Sequence, residues 1–249
     1  MNIALYLQVK MGTPNDMIFH DLNFDDRGQT CYHILCYRGN YDCLVALLNY
    51  ERMCLKKVMY DQLSKEKSRY RMKTMDIKQG ELDRTIQHDA ETIRRHQEFE
   101  LRLVGLFEQY VYDVLKRYRD ILTLQDEKYK RNPIHYAAMA KGTNSLKTLE
   151  AMLDIDIDSV AGFNVFYDQF TQLQAFELPE ETFDPRRSAN VLKEFRQLMR
   201  PSEYNAIAKD FKVKVRNLLK EVLNQQDKSY QTPLHVASYF GAFKQSNLL

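Results

Sequence analysis

Thr232-Pro233-Leu234-His235, running on into Val236-Ala237 and closed by Gly241, is the stretch from which the fold of this chain is read. A threonine N-cap accepts a hydrogen bond from the first orphan N–H groups of a helix, and a proline at the first helical position has its φ preset and lacks a donor that would find no partner there. Histidine at the third helical position reaches back to the cap and sideways to a neighbouring element. Glycine about two turns later supplies the left-handed residue that stops the helix. The string therefore spells one short helix with a defined start and stop. It is written twice more, as Asn132-Pro133-Ile134-His135 with Gly142 and as Thr30-Cys31-Tyr32-His33 with Gly39.

These strings resemble the T-P-L-H signature of ankyrin repeats. In the first, Asp25, Gly28, Thr30 and His33 follow the D-x-x-G-x-T-x-x-H turn, and the run from Gly39 to Leu47-Leu48 matches a second helix closing on a leucine pair. In the second, Glu127, Asn132, Pro133, His135, Ala137 and Ala138 fit, Gly142 comes one residue late, and Met152-Leu153 is the closing pair. The third keeps Asp227, Thr232, Pro233, His235 and Ala237. Cys31 stands where proline is usual, Leu35 where alanine is usual, and Lys130 and Tyr230 replace the turn glycine. The resemblance implies an all-α, ankyrin-like solenoid with short β-turn fingers, used as a non-catalytic scaffold for other proteins. The finger residues it sets toward a partner are Asp26 and Arg27, Lys128 and Tyr129, and Lys228 and Ser229.

Spacing is where the chain departs from that pattern. Helix-pair repeats recur every 33 or so residues because each buries its apolar face only against its neighbours, whereas the histidine anchors here lie 102 and then 100 residues apart. Long insertions between repeats are therefore expected. The division is an N-terminal packing segment over 1–23, a repeat over 24–50, a long helical hairpin over 51–123, a repeat over 124–154, a helical insertion over 155–223 and a partial repeat over 224–249. In the hairpin, Leu82, Ile86, Ala90, Ile93, Gln97, Leu101, Val104, Phe107, Val111, Val114, Tyr118 and Ile121 step by three or four along one helix face, with Gln79-Gly80 as the turn before it. Such a hairpin, projecting from the repeats, reads either as a coiled coil closed on itself or as an arm that grips a partner. The second insertion splits by charge. From Asp154 to Asp184 it is acidic and aromatic, with no Lys or Arg; from Arg186 to Lys220 it is basic.

With 249 residues, 44% apolar and 28% charged, the chain can bury a sizeable core, and only 8 Gly and 6 Pro leave little of it punctuated as loop. No apolar run is long enough to cross a bilayer, so no membrane insertion is expected. The cysteines Cys31, Cys36, Cys43 and Cys54 cluster with His33, but C-x-H-x-x-C is not a metal-ligand spacing, and Cys36 and Cys43 fall where the repeat buries small hydrophobes. Reduced structural thiols suit an intracellular, cytoplasmic setting. Asp154, Asp156 and Asp158 mimic a calcium loop that then lacks its glycine and its bidentate glutamate, because Ser159 and Val165 stand there. No phosphate-cradling loop, zinc-protease motif or nucleophile elbow is present, and His33, His135 and His235 are absorbed by helix capping. No catalytic residue, cofactor, metal or small-molecule substrate is therefore expected. The reading is a structural component of a large cytoskeletal, ciliary or axonemal assembly. Nucleic acid is a less favoured partner: RNA binding by the basic faces at Lys65 to Lys73 and Lys209 to Arg216 is one alternative, and a regulatory domain of a larger enzyme is another.

Overall fold

A computed structural model describes residues 25–80, 85–142, 144–155 and 191–242, without the side chains of 50, 53, 54, 72–80 and 85–90. The described residues form eight helices and no strand: α1 Cys31–Arg38, α2 Tyr41–Gly80, α3 Thr85–Thr123, α4 Pro133–Met139, α5 Ser145–Leu153, α6 Val191–Leu198, α7 Pro201–Asn224 and α8 Pro233–Tyr239. The chain is mostly helical, as expected. The opening segment 1–23, the acidic and aromatic stretch from Asp156 and the calcium-like Asp156 and Asp158 lie outside the described residues. Two compact units are built from interleaved segments, one from Met1–Leu47, Tyr118–Ile155 and Arg216–Leu249, the other from Leu48–Arg117 and Asp156–Val215.

The first unit holds the three short helices α1, α4 and α8. Their N-caps Thr30, Asn132 and Thr232 share one extended conformation, with φ near −85° and ψ near 170° (−88/170, −84/169 and −81/166). At each, the cap N–H donates to Nδ1 of the histidine three residues on, at 3.0, 3.3 and 3.4 Å. Local chemistry thus sets the three helix starts, as read from the sequence. The stops differ. Gly39 and Gly241 are left-handed, at φ 62° and 68°, and each closes a Schellman pair: Gly39 N–H to the Cys36 carbonyl with Asn40 N–H to Leu35, and Gly241 N–H to Ser238 with Ala242 N–H to Ala237. Gly142 does not play this part. Helix α4 ends two residues earlier at Ala140, whose φ of −62° and ψ of 131° carry the chain out in an extended conformation that any residue adopts. The late position of Gly142 is the reason: the helix has already stopped before that residue is reached.

Helix α4 packs against α1 on one side and α8 on the other, and against α5. The three strings, a hundred residues apart in sequence, are consecutive layers in space. The ends of two long helices deliver the chain back to this stack. Helix α3 ends at Thr123 just before the second turn and α7 ends at Asn224 just before the third. Arg119 pairs with Glu221 at 2.9 Å, and the Gln225 amide donates to the Thr123 carbonyl at 3.0 Å. Asn132 Nδ2 donates to the Val222 carbonyl and to Gln225 Oε1, at 3.3 and 2.7 Å, tying the second cap to both helix ends.

In the second unit α2 and α3 lie antiparallel. Glu51 takes a bidentate pair from Arg117 at 2.6 and 2.8 Å, Glu66 meets Arg102 at 3.1 Å, and Tyr70 stacks on Phe99 with ring centroids 4.6 Å apart. The helical hairpin is therefore present, its first helix described to Gly80 and its second from Thr85, but two details differ from expectation. Helix α2 runs unbroken through residue 50 and past the Leu47-Leu48 pair, since nothing between Tyr41 and Gln79 is glycine or proline. The buried face of α3 is carried by Leu103, Phe107, Tyr110, Val111 and Val114, whereas Ile93 and Leu101 are exposed. Nor is the hairpin a bare arm. Helix α6 and the first part of α7 cover it: Phe107 stacks on Phe195 at 5.6 Å and on Tyr204 at 4.9 Å, while Lys67 pairs with Glu194 at 2.5 Å and Arg200 with Glu100 at 2.7 Å. Burying Phe107, Phe195, Met59, Leu63 and Leu103 to 2% exposure or less gives this unit its core.

Candidate interaction surface

Each layer of the first unit opens with a turn folded around an aspartate. Asp25 Oδ1 accepts from the N–H groups of Arg27 and Gln29 at 2.9 and 2.7 Å, and Asp227 Oδ1 accepts from Ser229 and Gln231 at 2.8 and 3.0 Å. In the middle layer Asp126, fully buried, accepts from Tyr129 at 3.1 Å and from Arg131 at 2.6 Å. Spacing in the sequence puts Glu127 in that role, but Glu127 is exposed. The second turn carries one extra residue, so counting back from the cap lands one position late. The same interval separates Asp25 from Asp126 and Asp126 from Asp227, which was the available signal.

Two residues before each cap the backbone turns left-handed, at Gly28 (φ 69°), Lys130 (φ 56°) and Tyr230 (φ 61°). Gly28 is the one position where glycine is required for space as well, because a Cβ there would come within 2.5 Å of Glu127 Cγ and 2.9 Å of the Glu127 nitrogen. That close approach is a bond between turns. Glu127 N–H donates to the Arg27 carbonyl at 3.0 Å, and Lys228 N–H donates to the Tyr129 carbonyl at 2.8 Å. The histidines add a second line of contact between layers: His33 Nε2 lies 3.1 Å from the Arg131 carbonyl and 3.2 Å from that of Leu124, and His135 Nε2 lies 3.0 Å from the Gln231 carbonyl. Because Nε2 of each ring faces carbonyl oxygens, which only accept, the neutral ring is assigned its proton on Nε2 and donates it across the layers, leaving Nδ1 to the cap N–H. Burial keeps both rings neutral, pushing His33 below its ordinary range and His135 down to about 4.

Arg131, which the sequence reading missed, spans two layers: its guanidinium meets Asp227 Oδ2 at 2.9 Å. Burial opposes ionisation of Asp227, but the Gln231 N–H, Arg131 and the Ser229 N–H outweigh it and hold the carboxyl below the usual range. Gln29 and Tyr136 were also missed; the Gln29 amide donates to the Tyr136 hydroxyl at 2.7 Å, linking the first layer to the second.

The expected finger residues Asp26, Arg27, Lys128, Tyr129, Lys228 and Ser229 are all exposed and occupy corresponding places on the three turns. The turn-to-turn bonds of Arg27, Tyr129 and Lys228 are backbone bonds, so their side chains are left at the surface. Lys128 Nζ sits 4.9 Å over the Tyr129 ring and Arg131 lies 5.3 Å from it; Lys128, with help from Arg131 and Arg27, holds the phenol below its ordinary range. The fold-signature residues Thr30, His33, Asn132, Pro133 and His135 are buried, whereas Thr232 and His235 of the last layer are not fully covered.

Elsewhere, Cys36 is completely buried and its thiol is pushed up by desolvation, which makes it inert as a nucleophile. Among the described residues no group of three His, Cys, Asp or Glu side chains is gathered as metal ligands, and no helix is long and apolar enough to cross a membrane. Comparison of the chain with protein-family models, curated proteins and solved structures returns no match.

Proposed function

We propose that the three layers are ankyrin-type repeats separated by long helical excursions, and that the chain is a non-catalytic scaffold which binds other proteins through the edge made by its three turns. The observation that carries this reading is a division of labour at the turns. Backbone groups of Arg27, Tyr129 and Lys228 hold one layer to the next, leaving the side chains of the six finger residues in solvent on adjacent turns. A row of exposed Arg, Lys and Tyr held on a rigid base suits protein recognition, in which Arg and Tyr are among the residues that dominate binding energy. Membership of a large cytoskeletal or ciliary assembly is part of the proposal.

Charge pairing favours this over RNA binding. On the basic stretch of α2, Lys67 and Arg69 are engaged by Glu194 and Glu66, and on α7 Lys214 is engaged by Asp210. Only part of that basic charge is free for phosphates. The test is affinity capture from cell extract with the wild-type chain and with a variant carrying Arg27→Ser, Lys128→Ser, Tyr129→Ser and Lys228→Ser, which touches exposed side chains. The proposal expects a reproducible set of proteins on the wild type that is lost from the variant. An identical set on both, or none on either, contradicts it.

A further inference from the structure

The burial pattern of the three short helices depends on which neighbour each layer has. At the second helical position Tyr32 and Ile134 are 1% and 0% exposed, whereas Leu234 is 44% exposed. At the fourth position the order reverses: Ile34 is 42% exposed, Tyr136 5% and Val236 0%. The second position thus faces the following layer and the fourth faces the preceding one, as the Tyr136 contacts with Gln29, His33 and Tyr37 of the first layer confirm. Among the described residues no layer follows Leu234 in the stack and none precedes Ile34, and both side chains are open.

The hydrogen-bonding groups repeat the pattern. Each layer gives its successor a turn carbonyl (Arg27, Tyr129) and a histidine Nε2 (His33, His135); each successor returns a turn N–H (Glu127, Lys228) and a carbonyl (Arg131, Gln231). On the third layer the corresponding Ser229 carbonyl and His235 Nε2 have no hydrogen-bond partner among the described residues, and His235 is exposed where its two counterparts are fully buried. On the first layer the corresponding Asp26 N–H has no such partner, and among the described residues the Gln29 carbonyl accepts only from Asp25. What one end lacks, the other supplies.

We propose that this complementarity makes the chain associate head to tail, the third layer of one copy seating on the first layer of a second copy through Leu234, His235 and the Ser229 carbonyl on one side and Ile34, the Asp26 N–H and the Gln29 carbonyl on the other. The contact continues the interface already made twice inside the chain. It is heterologous, so each added copy presents a fresh end and growth does not close at two. One layer-to-layer contact is small, which places the association in the weak class, with dissociation constants of about 10 µM to 1 mM. The inference needs only the layer geometry; it goes beyond binding at the turn edge, and either can fail alone.

Sedimentation equilibrium of the full chain over that concentration range is the test, with Ile34→Lys and Leu234→Lys as variants, both at exposed positions, and far-UV circular dichroism to confirm their helix content. Wild type is expected to show a weight-average mass that climbs above the 29.6 kDa monomer as concentration rises, and each variant alone to stay monomeric. An equimolar mixture of the two is expected to associate again but to level off at two chains, because each variant keeps one intact end. A wild type that stays monomeric throughout, variants that associate as wild type does, or a mixture that stays monomeric overturns the proposal. None of these outcomes bears on capture of partners by the turn residues.

Discussion

At the residue scale, the two inner histidines do the work that would otherwise need a larger core. Each ring caps its own helix through Nδ1 and reaches the next layer through Nε2, and both functions require the neutral ring with its proton on Nε2. Between about pH 6.5 and about 4 the unfolded chain takes up a proton at His135 that the folded chain refuses. Stability is therefore fully present above that window and falls as pH drops through it, by roughly 3 kcal/mol for this one ring. His33 is shifted the same way, also by burial. Urea unfolding at pH 7.5 and pH 5 is expected to show about 2 kcal/mol of this loss in wild type and a smaller loss in His135→Gln, which keeps a donor but does not titrate; equal losses in the two would argue against the buried neutral ring. Caps of this kind were legible in the sequence because Thr30, Asn132 and Thr232 act on atoms within three residues of themselves. The partner of each Nε2 was not, because it comes from a turn about a hundred residues away. Asp126 was missed for a related reason: the local string does not say that its turn is one residue longer than the others. The left-handed conformations at Lys130 and Tyr230, which cost a non-glycine residue roughly 1 kcal/mol, persist because the turn is fixed at both ends by the aspartate and the cap.

Among the elements, the helices were legible from spacing and from the scarcity of glycine and proline, but their faces were not. Helix α3 carries Leu101 and Leu103 two residues apart, and a strict three-or-four step can pass through either. The fold buries Leu103 completely and leaves Leu101 71% exposed. The charged partners were equally invisible. Glu51 and Arg117 are both buried and make a bidentate pair between α2 and α3. Such a pair adds little net stability over an apolar replacement, yet removing one partner leaves an uncompensated buried charge. Glu51→Ala is accordingly expected to destabilise the chain by about 3–5 kcal/mol in urea unfolding, and Glu51→Ala with Arg117→Met to recover a large part of that loss. A single variant as stable as wild type would contradict the pairing.

For the whole molecule, one principle accounts for the repeat spacing. A layered stack needs its layers adjacent in space, and it is indifferent to how much chain is spent between them provided the chain returns in register. Here the returns are made by the ends of α3 and α7, pinned to each other by Arg119 with Glu221 and by Gln225 with Thr123. Part of the first excursion is covered from within the chain, because the basic half of the second insertion, as α6 and the start of α7, packs on its hairpin. Which surface that basic half would meet is a matter of tertiary geometry that no local pattern encodes.

The stacking of the three turns is the claim on which all of this stands, and amide hydrogen exchange at single-residue resolution, read on dilute chain, tests it most directly. Glu127 and Lys228 are exposed turn residues whose N–H groups have as acceptors the carbonyls of Arg27 and Tyr129 in the preceding layer, while the equivalent N–H of Asp26 has no partner among the described residues. Stacked layers require slow exchange at Glu127 and Lys228 and fast exchange at Asp26. Exchange at all three sites at the rate of an unprotected loop would mean that the layers do not meet.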